Sequence, residues 1–305
     1  AWARRPTCPS PEAELIRRGL LAIAMALFSI GALALEPLAD GDLAAVSAQD
    51  GFRFDFKNFE LSGNARITYT APPPSSASVW WSHLFASRSD DPLREFTDPY
   101  KLDIVARPGL ADAFILAFPA NPDGAARWRI ALDWGVNADG ISQDGGSVLM
   151  RDWVVQGGGA QWSTPTDRDG TAWGLGVRAQ IADLMFQPRG RTAASWDSPG
   201  AAPEQLWVSG IRIGAATADG SAPTAPWQIA DVTRQPGILN VEPGADGNPR
   251  LHVGIGWPTG PEGAPTGMIS ADRVMFQSDV SGNLDLGSSR IRGIQIQFMD
   301  VKFRP

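Results

Sequence analysis

"GVRAQIADLMF", residues 176–186, contains the alternation that decides the fold of this chain. Apolar Val177, Ala179 and Ile181 alternate with other residues, as expected for a strand with one buried face. The alternation then slips by one residue next to Asp183 before the apolar positions resume. A β-bulge inserts one extra residue in this way, and it keeps both halves of a strand facing the core. The stretch therefore predicts a bulged strand.

The same pattern recurs elsewhere in the chain, which indicates an internal repeat. "GFRFDFKNFEL", residues 51–61, slips at Asn58, and "GIQIQFMDVKF", residues 293–303, slips at Asp300. A weaker copy surrounds Asp152. Asp and Asn tolerate local departures from strand geometry, which suits the slip position. The alternative is chance alternation in a chain that is rich in strands.

Turn signals separate these units. Asp-Gly occurs eight times, with the Asp at positions 40, 50, 123, 139, 144, 169, 219 and 246. Asp-Gly between two strand-like runs favours a hairpin turn. We therefore predict an all-β, mostly antiparallel fold, in which repeated bulged strands form a sandwich or an elongated stacked sheet.

A hydrophobic segment near the start indicates export. Arg17 and Arg18 precede the apolar run 19–34, which ends in Ala-Leu-Ala, a small-x-small cleavage pattern. We predict that residues 1–34 are a signal peptide with an upstream extension, and that the protein is periplasmic, on the outer surface or extracellular. A transmembrane anchor is the alternative, although the run is shorter than the ~20 residues that a spanning helix needs.

Composition narrows the function classes. The net charge is −7 and the acidic residues are scattered, which argues against a nucleic-acid groove. Cys8 is the only cysteine, and it precedes the predicted signal peptide. The mature chain would therefore form no disulfides and offer no thiolate metal ligands.

The rest of the chain is predicted to be one β-rich domain, residues 51–305, preceded by a short amphipathic leader helix at 35–50. Leucines and a valine recur on one helical face of that leader, and an Asp could cap it. Pro-rich and Ser-rich composition predicts loops at 71–92 and 191–205.

Few residues suggest chemistry. His83 and His252 lie outside any catalytic motif, and we expect them to be ordinary polar positions, with no catalytic, metal or cofactor site. Asp152 and Asp183 could act as paired carboxylates in glycoside hydrolysis, but their place at the slip of the repeat favours a structural role.

Two loop-like segments are candidate binding positions. Asp167 and Asp169 could bind Ca²⁺ through their oxygens, or they could simply form a turn. Trp80 and Trp81 lie in the predicted 71–92 loop, where two neighbouring tryptophans need not both be buried. An exposed pair of this kind suits a binding or interface surface.

The leader resembles a known family. Residues 38–51 contain Leu38, Asp40, Leu43 and Val46 in the order of a leader motif, followed by Ser, Gln and Gly at 47, 49 and 51. This motif is similar to the mature start of the Fil-type pilus-system proteins of proteobacteria, although Ala48 replaces the usual Gly. The resemblance covers about 15 residues, and it implies a cell-surface or pilus-associated structural protein.

These observations favour an exported, non-enzymatic structural or surface protein that acts through β-strand and loop contacts. Expected partners are other exported or pilus-system proteins, or further copies of the chain, with no nucleic acid and with inner-membrane contact only through the signal segment. No cofactor is expected. The alternative is a secreted carbohydrate-binding protein or glycoside hydrolase that uses exposed Trp. A third hypothesis is an outer-membrane barrel.

Overall fold

A computed structural model of the chain describes residues 51–71, 76–106, 111–120, 126–198, 204–259 and 263–303. All of them belong to one compact unit, Asp50–Pro305. The predicted signal peptide and leader helix lie outside the described residues. A search of the described part for a helix that is long and apolar enough to span a membrane finds none.

The described residues form strands joined by turns, and each pairing between strands is antiparallel. The predicted all-β, antiparallel fold is therefore confirmed. The strands are β1 (Phe52–Phe54), β2 (Glu60–Ser62), β3 (Ile67–Thr70), β4 (Ser78–Arg88), β5 (Tyr100–Val105), β6 (Ala113–Ala117), β7 (Trp128–Ala138), β8 (Ile141–Ser163), β9 (Thr171–Gln187), β10 (Gln205–Ala215), β11 (Trp227–Ala230), β12 (Gly237–Pro243), β13 (Pro249–Gly256), β14 (Gly267–Gln277), β15 (Leu284–Ile294) and β16 (Phe298–Phe303).

The long hairpin of β8 and β9 organises the sheet, because each of these strands changes partner along its length. The first part of β8 pairs with β7 and its last part with β6. The first part of β9 pairs with β11 and β12, and its last part with β10. The hairpin thus joins a first wing (β2 and β3, then β4, β7, β10, β14 and β15) to a second wing (β1, β5, β6, β11, β12, β13 and β16).

Glycines mark the point where β8 changes partner. Gly157, Gly158 and Gly159 all have positive φ, and the β8–β9 register shifts between Val155 and Gly158. A Cβ at Gly158 would lie 2.4 Å from the Gly176 carbonyl oxygen. Only glycine fits both the conformation and this close approach.

The first Asp-Gly hairpin forms as the sequence predicts. Asp139 and Gly140 have φ of 52° and 76°, and they join β7 to β8 where Ala138 pairs with Ile141. Positive φ at both central residues is the geometry of a two-residue turn whose twist matches the flanking strands. The hairpin expected around Asp246 also forms, between β12 and β13.

Two of the predicted slip positions take the left-handed conformation, although in different settings. Asp152 has a φ of 50°, and the β7–β8 register shifts opposite it, between Trp128 and Ile130, so this bulge is confirmed. Asn58 also has a φ of 50°, but it lies in a turn between β1 and β2 rather than inside one strand.

At Asp183 the slip takes another form. Asp183 stays in register with Arg151 on β8 and with Ser209 on β10, so the bulge expected there is wrong. Residues on both sides of the slip nevertheless share one hydrophobic cluster, which includes Ile181 and Leu184. The neighbouring strands contain left-handed residues at the same level, Asp152 on β8 and Gly210 on β10. The three adjacent strands β8, β9 and β10 all change their alternation at this level, so the pairing between them is preserved.

Two other sequence expectations need correction. The repeat unit at 293–303 is divided between the end of β15 and β16. Residues 78–88 of the expected 71–92 loop form β4, which pairs with β7 on one side and with β2 and β3 on the other. Pairing on both sides and the burial of Phe85 outweigh the Ser-rich composition. In the other expected loop, the described residues 191–198 lie outside strands.

We expect Gly140→Ala to destabilise the protein by about 1–2 kcal/mol, because L-residues pay that amount in the left-handed region. Gly256→Ala is the matched control, since both positions have open space around a new Cβ but only Gly140 has a positive φ. Urea unfolding of both variants measures the difference. Equal unfolding midpoints would show that the left-handed conformation at position 140 does not determine the loss of stability.

Candidate functional site

The two tryptophans of the predicted binding pair lie on β4, and both are half-buried. The guanidinium carbon of Arg66 lies 4.2 Å from the centre of the Trp80 ring, which is a cation–π distance. A Cβ at Gly135 on β7 would lie 2.3 Å from Trp80 Cζ2, so the indole packs closely on that glycine. Trp81 is paired with Trp134. The ring of Trp80 is thus covered in part, and a binding role for the pair stays a prediction.

His83 belongs to a buried polar network. It has a φ of 49° at a bulge of β4, where the β4–β7 register shifts between Ser82 and Phe85. The bulge directs its Nδ1 to within 2.7 Å of Oδ2 of Asp133, a carboxylate that is 2% exposed. Sequence reasoning missed this network because its members are far apart in the chain.

Arg191 completes the network. Its Nε donates to Asp133 Oδ1 at 2.8 Å and its backbone N–H donates to Oδ2 at 3.2 Å, while Ser147 Oγ donates to Oδ1 at 2.9 Å. The guanidinium also donates to the carbonyls of Ser195 and His83. The Asp133 carboxylate therefore contacts His83, Ser147 and Arg191 together, and the network holds the 188–198 segment against β4, β7 and β8. Such saturation of a carboxylate suits a structural group better than a free general base.

The carboxylates proposed for hydrolysis each have their own partners. Asp152 Oδ1 accepts a hydrogen bond of 2.6 Å from Ser89 Oγ. Asp183, which is 5% exposed, accepts one of 2.7 Å from Trp207 Nε1 and also binds the guanidinium of Arg151. These contacts hold the slip positions of neighbouring strands, in line with the structural role that their place in the repeat favours.

The proposed calcium position lies in the exposed β8–β9 turn. Asp167 binds the guanidinium of its neighbour Arg168 at 2.7 Å, and this hydrogen bond holds the pKa of the Asp167 carboxyl below its usual range. Within the described ranges, no group of three or more His, Cys, Asp and Glu residues is placed to hold a metal ion. Calcium binding by Asp167 and Asp169 stays a prediction.

The most distinctive surface is formed by β12, β13 and β16, which we call the edge ribbon. Its strands pair in straight register, so residues align in rows across it. One row is Asn240, His252 and Lys302, and its side chains lie on the polar face. The adjacent rows place apolar side chains on the opposite face: Leu239, Val253 and Val301 in one, and Val241, Leu251 and Phe303 in the other.

The polar face is an ion network around His252. Nδ1 of this buried imidazole lies 2.7 Å from Asn240 Oδ1 and 3.1 Å from Glu242 Oε1, and its Nε2 lies 3.2 Å from Asp300 Oδ1. Lys302 Nζ lies 2.8 Å from Glu242 Oε2. That hydrogen bond lowers the pKa of Glu242 and raises the pKa of Lys302. A cavity of about 290 Å³ lies against this face.

The apolar face is only partly covered. At one end, Ile255 is 4% exposed because it packs in a cluster with Trp257 and Ala264. Toward the β12–β13 turn the cover ends, and large apolar side chains are open to solvent. Their exposed fractions are 38% for Leu239, 65% for Val241, 47% for Leu251, 39% for Val301 and 51% for Phe303.

The outer edge of the ribbon is also open. Among the described residues, β16 pairs with β13 alone, and that ladder has no register shift between Phe298 and Phe303. Another outer strand, β15, differs. It contains left-handed Gly287 and Gly293 at register shifts, and its exposed side chains include Arg290 and Arg292. Bulges and like charges of this kind guard a sheet edge against further pairing, whereas the straight ladder of β16 permits it.

Comparisons of the chain with protein-family models, with curated proteins and with solved structures find no match. The assignment of a function therefore depends on the residues themselves. The sequence did signal the ribbon in part, since "GILNVEPGADGNPRLHVGIGW" reads as a hairpin around Asp246. It did not show that β16 would join this hairpin, because the joining residues are about 50 positions apart.

We expect Asp133→Asn to destabilise the protein by about 3–5 kcal/mol, because it leaves the fully buried guanidinium of Arg191 without its counterion. Asp167→Asn is the matched control, since it removes the same charge from an exposed pair. Urea unfolding should show a large loss for the first and no measurable change for the second. Similar midpoints for both variants would contradict the structural role of the network.

We expect Lys302→Met to raise the pKa of Glu242 toward its ordinary value, because the hydrogen bond from Lys302 is the main cause of its depression. A lowered carboxyl pKa stabilises the fold above the ordinary pKa of Glu, and this contribution is lost as the pH falls through the lowered value. NMR titration of the Glu242 carboxyl measures the shift. The control is Lys57→Met, which should raise the pKa of Glu95 instead. An unchanged Glu242 titration in Lys302→Met would contradict the pairing.

Proposed function

We propose that this chain is a non-enzymatic structural protein of the cell surface or of a pilus-associated assembly, and that it acts by binding other protein chains through its sheet. The observation that supports this most directly is the edge ribbon. Its apolar face is open over five large side chains, and the outer edge of β16 has no partner strand among the described residues.

Both features favour association with protein. Each Å² of apolar surface removed from water contributes roughly 25 cal/mol, and contiguous exposed apolar patches commonly mark interaction sites. An unpaired strand edge offers backbone N–H and C=O groups to an added strand. Side chains at alternate positions of the added strand then supply specificity. The ribbon combines the two, because Val301 and Phe303 belong both to the patch and to the edge.

Two features of the sequence support the proposed location at the cell surface. The apolar run 19–34 with its Ala-Leu-Ala end favours export, and the leader motif at 38–51 resembles the Fil-type pilus-system proteins. An exported assembly protein has use for an open sheet edge, which would be a hazard in a protein that must stay monomeric.

We expect the full chain to self-associate as its concentration rises, and Val241→Lys to weaken self-association about tenfold, since an ammonium replaces an apolar contact in the patch. Val280→Lys is the matched control, because Val280 is 86% exposed in the turn between β14 and β15. Analytical ultracentrifugation over a concentration series measures the change.

Two results would contradict the proposal. One is a compact monomer at every concentration. The other is equal weakening by both lysine substitutions, which would indicate a general charge effect instead of a surface. A monomer that gains thermal stability when a glycan is added would favour the carbohydrate-binding alternative.

A further inference from the structure

We infer that the edge ribbon binds a second copy of this chain, with β16 of each copy paired antiparallel about a twofold axis through Val301. This inference rests on the proposed function, and it specifies the partner and the register. It depends on three properties of β16, namely an open edge, a straight ladder and a sequence that complements itself.

The symmetry restricts the pairing. A twofold axis perpendicular to the sheet joins two identical edge strands in antiparallel orientation, and each residue then faces one on the same side of the sheet. With the axis at Val301, that residue faces its own copy, and Asp300 faces Lys302 of the second copy. Met299 faces Phe303 of the second copy. Two opposite-charge pairs thus form on the polar face, and three apolar pairs form on the other.

The neighbouring registers are unfavourable. Moving the axis by one residue to Asp300 places two carboxylates directly opposite each other, and moving it to Lys302 does the same with two ammonium groups. Like charges directly opposite each other on adjacent strands are destabilising, whereas opposite charges and apolar pairs contribute roughly 0.2–1 kcal/mol each. The sequence of β16 therefore favours one register over its neighbours.

The charged groups keep enough bonding capacity for this second contact. The side chains of Asp300 and Lys302 are 43% and 36% exposed. Each contacts one group within its own ribbon, His252 for the carboxylate and Glu242 for the ammonium. A carboxylate has about four acceptor positions and an ammonium has three donors, so both can bind across the axis without losing those contacts.

Pairing would also extend the apolar patch. The ribbon has three strands, and the dimer would join two ribbons into one continuous face in which the row of Val241, Leu251 and Phe303 meets Met299 of the second copy. The strand pair supplies backbone hydrogen bonds, and the joined patch supplies apolar contact. β15 is a poorer edge for such pairing, because its left-handed Gly287 and Gly293 interrupt the ladder.

Disulfide cross-linking of the full chain tests the register. In a Cys8→Ser background, Val301→Cys should form disulfide-linked dimers under mild oxidation, because residues directly opposite in an antiparallel pair have Cα atoms within the range that a disulfide spans. Phe303→Cys is the control on the same strand and face. It should not cross-link to itself, since it lies about 14 Å from its own copy in this register. A mixture of Phe303→Cys and Met299→Cys should cross-link.

The outcomes separate this inference from the proposed function. Dimers from Val301→Cys and from the mixed pair, with at least tenfold less from Phe303→Cys alone, would support the twofold register. Association of the unsubstituted chain without cross-linking at position 301, or with equal cross-linking at 301 and 303, would overturn the register and leave the proposed function intact. A chain that neither associates nor cross-links would overturn both.

Discussion

The pairing of β8 with β9 is the constraint on which the rest of the described sheet depends. β8 has 23 residues and β9 has 17, and the strands of both wings attach to one or the other, directly or through one or two intervening strands. Because each strand changes its partner part-way along, an error in this register would displace both wings at once. A one-residue slip would turn each apolar face toward solvent. The left-handed glycines at 157–159 fix the place where the partner changes.

Buried carboxylates hold neighbouring strands together around this hairpin. Asp133 gathers donors from β4, β8 and the 188–198 segment, and Asp183 joins β8 to β10 through Arg151 and Trp207. Buried carboxylates of this kind need every partner in place, since a missing one leaves a charge or a donor unsatisfied. The edge ribbon differs, because its polar face is half open and its apolar face continues past the end of the core.

The sequence contained the period-2 alternation, the Asp-Gly turns and the slip at Asp152, since each is a local property of a few neighbouring residues. It did not reveal β4, because Ser and Pro around Trp80 hid a strand that is stabilised by pairing on both sides. It also did not reveal that the step at Asp183 would be shared by adjacent strands. The edge ribbon depends on β16 meeting β13 after the chain has formed β14 and β15, and alternation within a strand does not specify its neighbour.

The way in which β8 and β9 are shared has a consequence for how the protein could have arisen and how it could be cut. A chain made of two ordinary domains can be separated at a linker, and each part keeps its own core. Here the border between the wings runs through the middle of two continuous strands, at Gly157–Gly159 and the facing part of β9. No single cleavage of the backbone would release one wing whole, so the two wings should fold, unfold and be inherited as one unit.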